Sequence, residues 1–290
     1  MTAAEQGLLL LCCGLGQKNV YPLTMAQFRE LSRRAAAAGM GDGNPDAAVT
    51  EGDLLRLGYS PAMAERIVEL LNREDLLEEY LEAGRRSGFF PLTRISKGYP
   101  EPLLRKKGVS RPPLFFCAGD LSALRGPYVG LAGSRDASPA GLDFAARVGH
   151  LAAREGMTLV SGAAEGADRA AMNACLQAGG RVVAFVPDDL RRRVALAGPR
   201  CLVCSEGGYD LPFSTQRAMM RNAYIHMMGE KTLIAQTGYR KGGTWNGTLE
   251  NLRRGWSRVY IFDDGSAGAA ALVQQGAEPV TELHTLADLP

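Results

Sequence analysis

The sequence predicts a doubly wound α/β protein, with a mostly parallel sheet covered by helices on both faces and a small helical region ahead of it. Three observations carry this. From Phe89 onward, short β-branched or aromatic runs alternate with helical patterns, the order that builds a parallel sheet through crossover helices. Those runs are continuously apolar, as strands buried on both faces are. Residues 129–168 also hold two glycine-rich strand ends in succession, VGLAGSRDASPAG and LVSGAAEGAD. Each sits where a buried strand turns into a helix.

At the start, Leu8–Cys13 is apolar but short, follows Glu5 rather than a basic stretch, and lacks a small-residue cleavage site. It reads as neither a signal peptide nor a membrane span. Up to about Ser87, apolar residues recur at helical spacing: Leu54, Leu55 and Leu57, then Ala64, Ile67, Val68, Leu70 and Leu71, then Leu76, Leu77, Tyr80 and Leu81. These are short amphipathic helices. Gly58-Tyr59-Ser60-Pro61 separates two of them, with Ser60 as a cap and Pro61 at the first helical position. The expected strands are Phe89–Ile95, Leu114–Ala118, Tyr128–Gly133, Met157–Ser161, Arg181–Val186, Cys201–Ser205, Lys231–Gln236, Arg258–Phe262 and Pro279–Leu283. Pro100, Pro102, Pro112 and Pro113 mark a link between the first strand and the main sheet. Ser138-Pro139 opens one helix with a capping hydroxyl and a proline in the first turn. Gly166-Ala167-Asp168 leads into an alanine-rich helix ending near Gly179-Gly180. The expected division is therefore a helical domain over 1–87 and the α/β domain over 88–290.

At 290 residues, with 46% apolar and 22% charged residues, the chain is an ordinary globular protein. Its net charge of +2 is too small for a polycation, so contact with nucleic acid requires a local patch. The six cysteines fall mostly in apolar segments, which suits a reducing cytoplasm. Cys201-Leu-Val-Cys204 has the spacing of a redox or zinc pair but lies in a strand-like run without a second pair or a nearby histidine, so buried thiols are expected there. His150, His226 and His284 have no partner at metal spacing and read as surface or packing residues. No metal and no cofactor are expected.

Four loops should converge on one edge of such a sheet because each follows a strand: Gly133-Ser134-Arg135, Ser161–Asp168, the region after Glu206, and Gly238–Thr248. Glycines let a backbone approach a bound group, and free N–H groups at a helix start attract phosphate. Arg135 supplies a permanent fork for phosphate, and Ser134 and Ser161 add hydroxyls. Asp168, at a helix start, is expected to hold the loop rather than to do chemistry. Arg217 and Arg221 share one helical face, and Arg240-Lys241-Gly242-Gly243-Thr244 joins charge to a flexible turn. A strip of Arg135, Arg221 and Lys241 would track a nucleic-acid backbone. The runs Arg191–Arg193 and Arg253-Arg254 read as solvated surface, and Met219, Met220, Met227 and Met228 as core filling.

Together, Gly133-Ser134-Arg135 with Ala137-Ser138-Pro139 and Gly141, then Ser161–Asp168, then Arg221-Asn222, closely resemble the DNA-processing protein A (DprA or Smf) family. Tyr99-Pro100 with Leu103-Leu104, and Pro113-Leu114-Phe115 through Gly119-Asp120-Leu121, are similar to that family's lead-in. The resemblance covers about residues 88–265 and, more loosely, a helical start of SAM or helix-hairpin-helix type. It implies an extended Rossmann-like domain that works as a homodimer, binds single-stranded DNA and helps load a RecA-type recombinase in natural transformation. It also implies that Arg135 grips a phosphate, that Gly133, Ser134, Ser161, Gly162 and Gly166 form the pocket floor, and that Lys241 or Arg240 lies on the opposite rim. The chain departs from the pattern at Glu165, Met172, Val186–Leu190 and Ala223, and no winged-helix extension is expected after Pro290. An acidic Glu165 at the pocket would repel phosphate.

Two other readings compete. Gly242-Gly243-Thr244-Trp245-Asn246-Gly247-Thr248-Leu249-Glu250 is similar to the signature of LOG-type nucleotide phosphoribohydrolases, in which Glu250 would stabilise a ribosyl cation. A non-catalytic sensor of a small nucleotide would keep the glycines without the basic strip.

Overall fold

The computed structural model describes residues 1–40, 48–106 and 112–289. Five helices come first: α1 (Ala3–Cys12), α2 (Met25–Ala37), α3 (Glu51–Arg56), α4 (Pro61–Leu71) and α5 (Glu74–Arg86). The first three open on capping boxes, in which Thr2, Thr24 and Thr50 exchange hydrogen bonds with Glu5, Gln27 and Asp53. Ser60 does stand at the cap of α4 ahead of Pro61, but its hydroxyl makes no capping bond.

The remaining elements alternate as β1 (Phe89–Thr93), α6 (Glu101–Arg105), β2 (Leu114–Gly119), β3 (Tyr128–Ala132), α7 (Pro139–Arg154), β4 (Thr158–Ser161), α8 (Ala167–Gln177), β5 (Arg181–Val186), β6 (Cys201–Glu206), α9 (Thr215–Met228), β7 (Lys231–Ile234), α10 (Gly242–Arg254), β8 (Arg258–Phe262), α11 (Ala267–Gln274) and β9 (Glu278–Val280). All nine strands lie in one sheet of order β1-β2-β6-β5-β4-β3-β7-β8-β9. From β6 to β9 every pairing is parallel. At the other edge, β1 pairs antiparallel with β2, and β2 pairs antiparallel with β6. β2 is buried along five of its six residues, so its apolar run looks like that of a parallel strand and hides its direction.

Helices cover both faces. One face carries a cluster running from Leu8, Leu54 and Tyr80 through Phe116, Leu131, Val148 and Ala171 to Leu286, so the N-terminal helices and the sheet share it. The other face packs Leu103, Phe115, Phe185, Tyr224 and Trp256 under α6 and α9. A third cluster joins Trp245 and Ile261 to Leu272. Chain direction across the sheet reverses beside β3: β3 leads through α7 to β4 on one side, and its other neighbour β7 leads through α10 to β8. Ligands of doubly wound sheets sit at such a point, outside the carboxyl ends of the strands.

Candidate anion-binding cleft

A cavity of about 590 Å³ lies at that point. Its lining includes Gly133, Ser134, Arg135 and Asp136 after β3, Ala164 and Asp168 before and in α8, Phe213, Met219, Arg221 and Asn222 ahead of and in α9, and Gly238, Lys241, Gly242, Gly243 and Thr244 after β7. The four loops expected to converge do so.

Polar bonds tie these loops together. Thr244 Oγ1 donates to the Gly133 carbonyl at 2.9 Å, Asn222 Nδ2 to the Gly243 carbonyl at 3.0 Å, and the Ser138 amide to Gln236 Oε1 at 2.7 Å. The Ala167 amide donates to the Ser134 carbonyl at 3.2 Å. Gly166, with φ of +79°, is needed at this crossing: a Cβ there would overlap the Ser134 and Arg135 carbonyls. Ser138 caps α7 by accepting from the Gly141 amide. At α10, by contrast, Lys241 occupies the cap position without a side-chain capping bond, leaving first-turn N–H groups free to face an anion.

Charge is arranged in two levels. Arg135 and Lys241 are exposed at the rim. Arg221 and Asp168 are only 8% and 4% exposed and pair at 3.4 Å in the floor. Burial pushes the Asp168 carboxyl above its ordinary range, against the pull of the Arg221 guanidinium and of the Ala164 and Gly162 amides. Burial likewise lowers Arg221, against the attraction of Asp168. Asp168 accepts from the Ala164 amide at 3.3 Å, the loop-holding role expected of it.

Of the expected site residues, Gly133, Ser134, Arg135, Asp168, Arg221, Asn222, Lys241, Gly242, Gly243 and Thr244 line the cavity. Several expectations need correction. Arg221 is no part of a surface strip, because its guanidinium is sunk against Asp168. Arg217, on the same helix, turns inward to the carbonyls of Pro187 and Glu206. Ser161 is fully buried and donates to the Leu131 carbonyl at 3.1 Å, so its hydroxyl is already used. Gly162 and Gly166 lie behind the lining; a Cβ on Gly162 would overlap Arg221 Nη1. Arg240 lies outside the cavity, its guanidinium 5.3 Å from the centre of the Tyr239 ring. Glu250 is bound by Arg254 Nε at 2.8 Å on the flank of α10 and does not line the cavity. Glu165, with a side chain 76% exposed, points toward Arg169 at 3.9 Å; Asp136 is the exposed acidic residue of the lining.

Met219 is not core filling: it is 39% exposed and lines the cavity beside Phe213, which is 55% exposed. Phe213 was missed; its signal was a lone aromatic between Pro212 and the helix-capping Ser214. Cys201 and Cys204 are three apart in a strand and belong to cores on opposite faces, which rules out a shared ligand. Among the described residues, no group of three or more His, Cys, Asp or Glu side chains is placed to hold a metal ion. No described helix is long and apolar enough to cross a membrane.

The family model for DNA recombination-mediator protein A matches residues 91–289. The DNA processing protein DprA of Bacillus subtilis (strain 168) is 27% identical over 219 residues, which are 70% of this chain and 72% of that relative. Among solved structures, DNA processing protein A from Streptococcus pneumoniae superimposes with a TM-score of 0.71 at 23% identity, over 97% of this chain and 95% of that one. DNA processing protein A from Helicobacter pylori, described for its single-stranded DNA binding mode, gives a TM-score of 0.56 at 19% identity, over 67% of this chain and 92% of that one. The last two likenesses concern the extended Rossmann-like fold.

Proposed function

The chain belongs to the DNA recombination-mediator protein A family, and from that premise we propose that its cleft binds single-stranded DNA by the phosphate backbone. One observation carries the reading: an exposed Arg135 and Lys241 share a cavity with the uncapped first turn of α10. A guanidinium, an ammonium and free amides converging on one space suit a phosphate oxygen. Arg221 acts from beneath by fixing the 161–168 loop through Asp168. The nucleotide-hydrolysing alternative has no such support, since Glu250 faces Arg254 outside the cavity.

By the same reading, two copies pair, bring two clefts onto one strand and gain avidity, and the complex hands the strand to a RecA-type recombinase during transformation or recombination. The setting is the cytoplasm, which suits six free, buried cysteines.

An oligonucleotide titration across salt concentrations tests the DNA reading. Affinity falls as salt rises because neutralised phosphates release counterions. Arg135→Ala is expected to lower affinity about tenfold or more, as loss of a charged hydrogen bond does, and to reduce the salt slope by about 1. Unchanged affinity would remove Arg135 from the site. Sedimentation of the free protein checks the dimer.

A further inference from the structure

Residues 207–214 run from the end of β6 to the cap of α9, and their far end leads into the cavity lining at Phe213, Thr215 and Ala218. Their near end is held by the helical region. The Tyr80 hydroxyl of α5 donates to Asp210 Oδ1 at 2.7 Å and accepts from the buried Tyr209 amide at 3.2 Å, while the Tyr209 hydroxyl donates to the Tyr80 carbonyl at 3.1 Å. The two rings stack at 4.3 Å with 17° between their planes. Cys13, beside α1, donates its thiol to the Gly207 carbonyl at 3.0 Å. Close approach is built in: a Cβ on Gly84 of α5 would stand 3.0 Å from the Tyr209 ring, and one on Gly208 would stand 3.0 Å from the Tyr80 hydroxyl. From the opposite side, the Leu190 amide donates to the Tyr209 carbonyl at 2.8 Å. Only Leu211, Pro212 and Phe213 then remain before Ser214 caps α9. Three residues reach at most about 11 Å, and Pro212 fixes one of their dihedrals, so a shift at Tyr209-Asp210 passes to the cleft wall.

We propose that Tyr80 is a positioning residue for DNA: through Tyr209 and Asp210 it sets where the wall ahead of α9 stands relative to Arg135 and Lys241. The inference rests on the single-stranded DNA reading and gives the helical region a part in binding without any contact to the strand. One hydroxyl serves two partners, so removing it leaves a buried amide without its acceptor and a carboxylate without its donor. Arg135 and Lys241 stand on other loops, after β3 and β7. Tyr80 therefore moves the wall and leaves the charges of the cradle in place.

The experiment titrates an oligothymidine by fluorescence anisotropy at several salt concentrations, using the full chain and its Tyr80→Phe, Asp210→Ala, Asp210→Asn and Ser138→Ala variants, each held well below its thermal midpoint. Ser138→Ala removes a helix cap whose hydroxyl serves α7, and so reports what lost stability does by itself. Tyr80→Phe and Asp210→Ala are expected to weaken binding about fivefold or more, the lower end of coupling between separate sites, with the salt slope of the parent chain. Asp210→Asn keeps the accepting oxygen and should bind like the parent. Parent affinity in folded Tyr80→Phe and Asp210→Ala would overturn the positioning role and leave the DNA reading standing. An equal loss in Ser138→Ala would also overturn it, since stability alone would then account for the effect. So would a reduced salt slope, because the cradle itself would then have moved. No binding by the parent chain would overturn both readings.

Discussion

At the scale of single residues, the cleft floor depends on a buried pair that cannot be opened from one side. Asp168→Asn would leave the Arg221 guanidinium, 8% exposed, without its counter-charge. Breaking such a pair typically costs about 3–5 kcal/mol, whereas replacing both members with apolar residues of similar volume is often near neutral. Urea denaturation should therefore show a large loss for Asp168→Asn and a much smaller one for Asp168→Leu combined with Arg221→Met. Equal losses would mean that the pair is not what holds the 161–168 loop. A second buried group makes stability depend on acid. His226 is fully buried with no partner for Nδ1, and burial lowers its pKa to about 3. The folded chain thus keeps a neutral imidazole while the unfolded chain takes up a proton below about 6.5. The contribution of His226 is complete above that value and is lost toward pH 3, at a slope of up to about 1.4 kcal/mol per pH unit. Denaturant titrations from pH 7 to 4 should show this fall, and His226→Gln should flatten it.

At the scale of elements, Ser138 tests whether a cap beside the cleft serves the helix or the ligand. Its hydroxyl accepts from the Gly141 amide, and its own amide is taken by Gln236. Ser138→Ala should cost about 1 kcal/mol in denaturant unfolding and leave oligonucleotide affinity unchanged, because the capping hydroxyl points into α7. The same elements show what the amino-acid order makes legible. β5 and β8 occupy the spans expected of them, Arg181–Val186 and Arg258–Phe262, because a short apolar run bounded by turn residues marks a buried strand. Neither the antiparallel pairing of β1 and β2 nor the sinking of Arg221 was legible, since both depend on which distant segments become neighbours. Within the site, the glycine turns and Arg135 could be read because their demands are local. Ser161 could not, because the Leu131 carbonyl that takes its hydroxyl belongs to a neighbouring strand region 30 residues away.

At the scale of the whole molecule, the N-terminal helices and the sheet share one apolar cluster. Tyr80 of α5 stacks on Tyr209 at 4.3 Å and meets Phe116 of β2 edge-on at 5.4 Å, while its hydroxyl donates to Asp210 at 2.7 Å. Peeling the helices away would expose these rings together with Leu8, Leu9 and Leu77, so the helical region is expected to unfold with the sheet rather than before it. The cysteines report on this directly. Cys12 and Cys13 lie in and beside α1, and Cys117, Cys175, Cys201 and Cys204 lie in the α/β region. All are buried, and burial pushes the thiols of Cys12, Cys13 and Cys201 up to about 12 and that of Cys175 up to about 11. In the native state all six should ignore an aromatic disulfide reagent, because burial closes access to them. In sub-denaturing urea, mass spectrometry of the labelled chain should find all six modified with the same opening free energy, equal to that of global unfolding. Earlier labelling of Cys12 and Cys13 would show instead that the helices open on their own. The shared cluster would then be a docking surface between separately stable units.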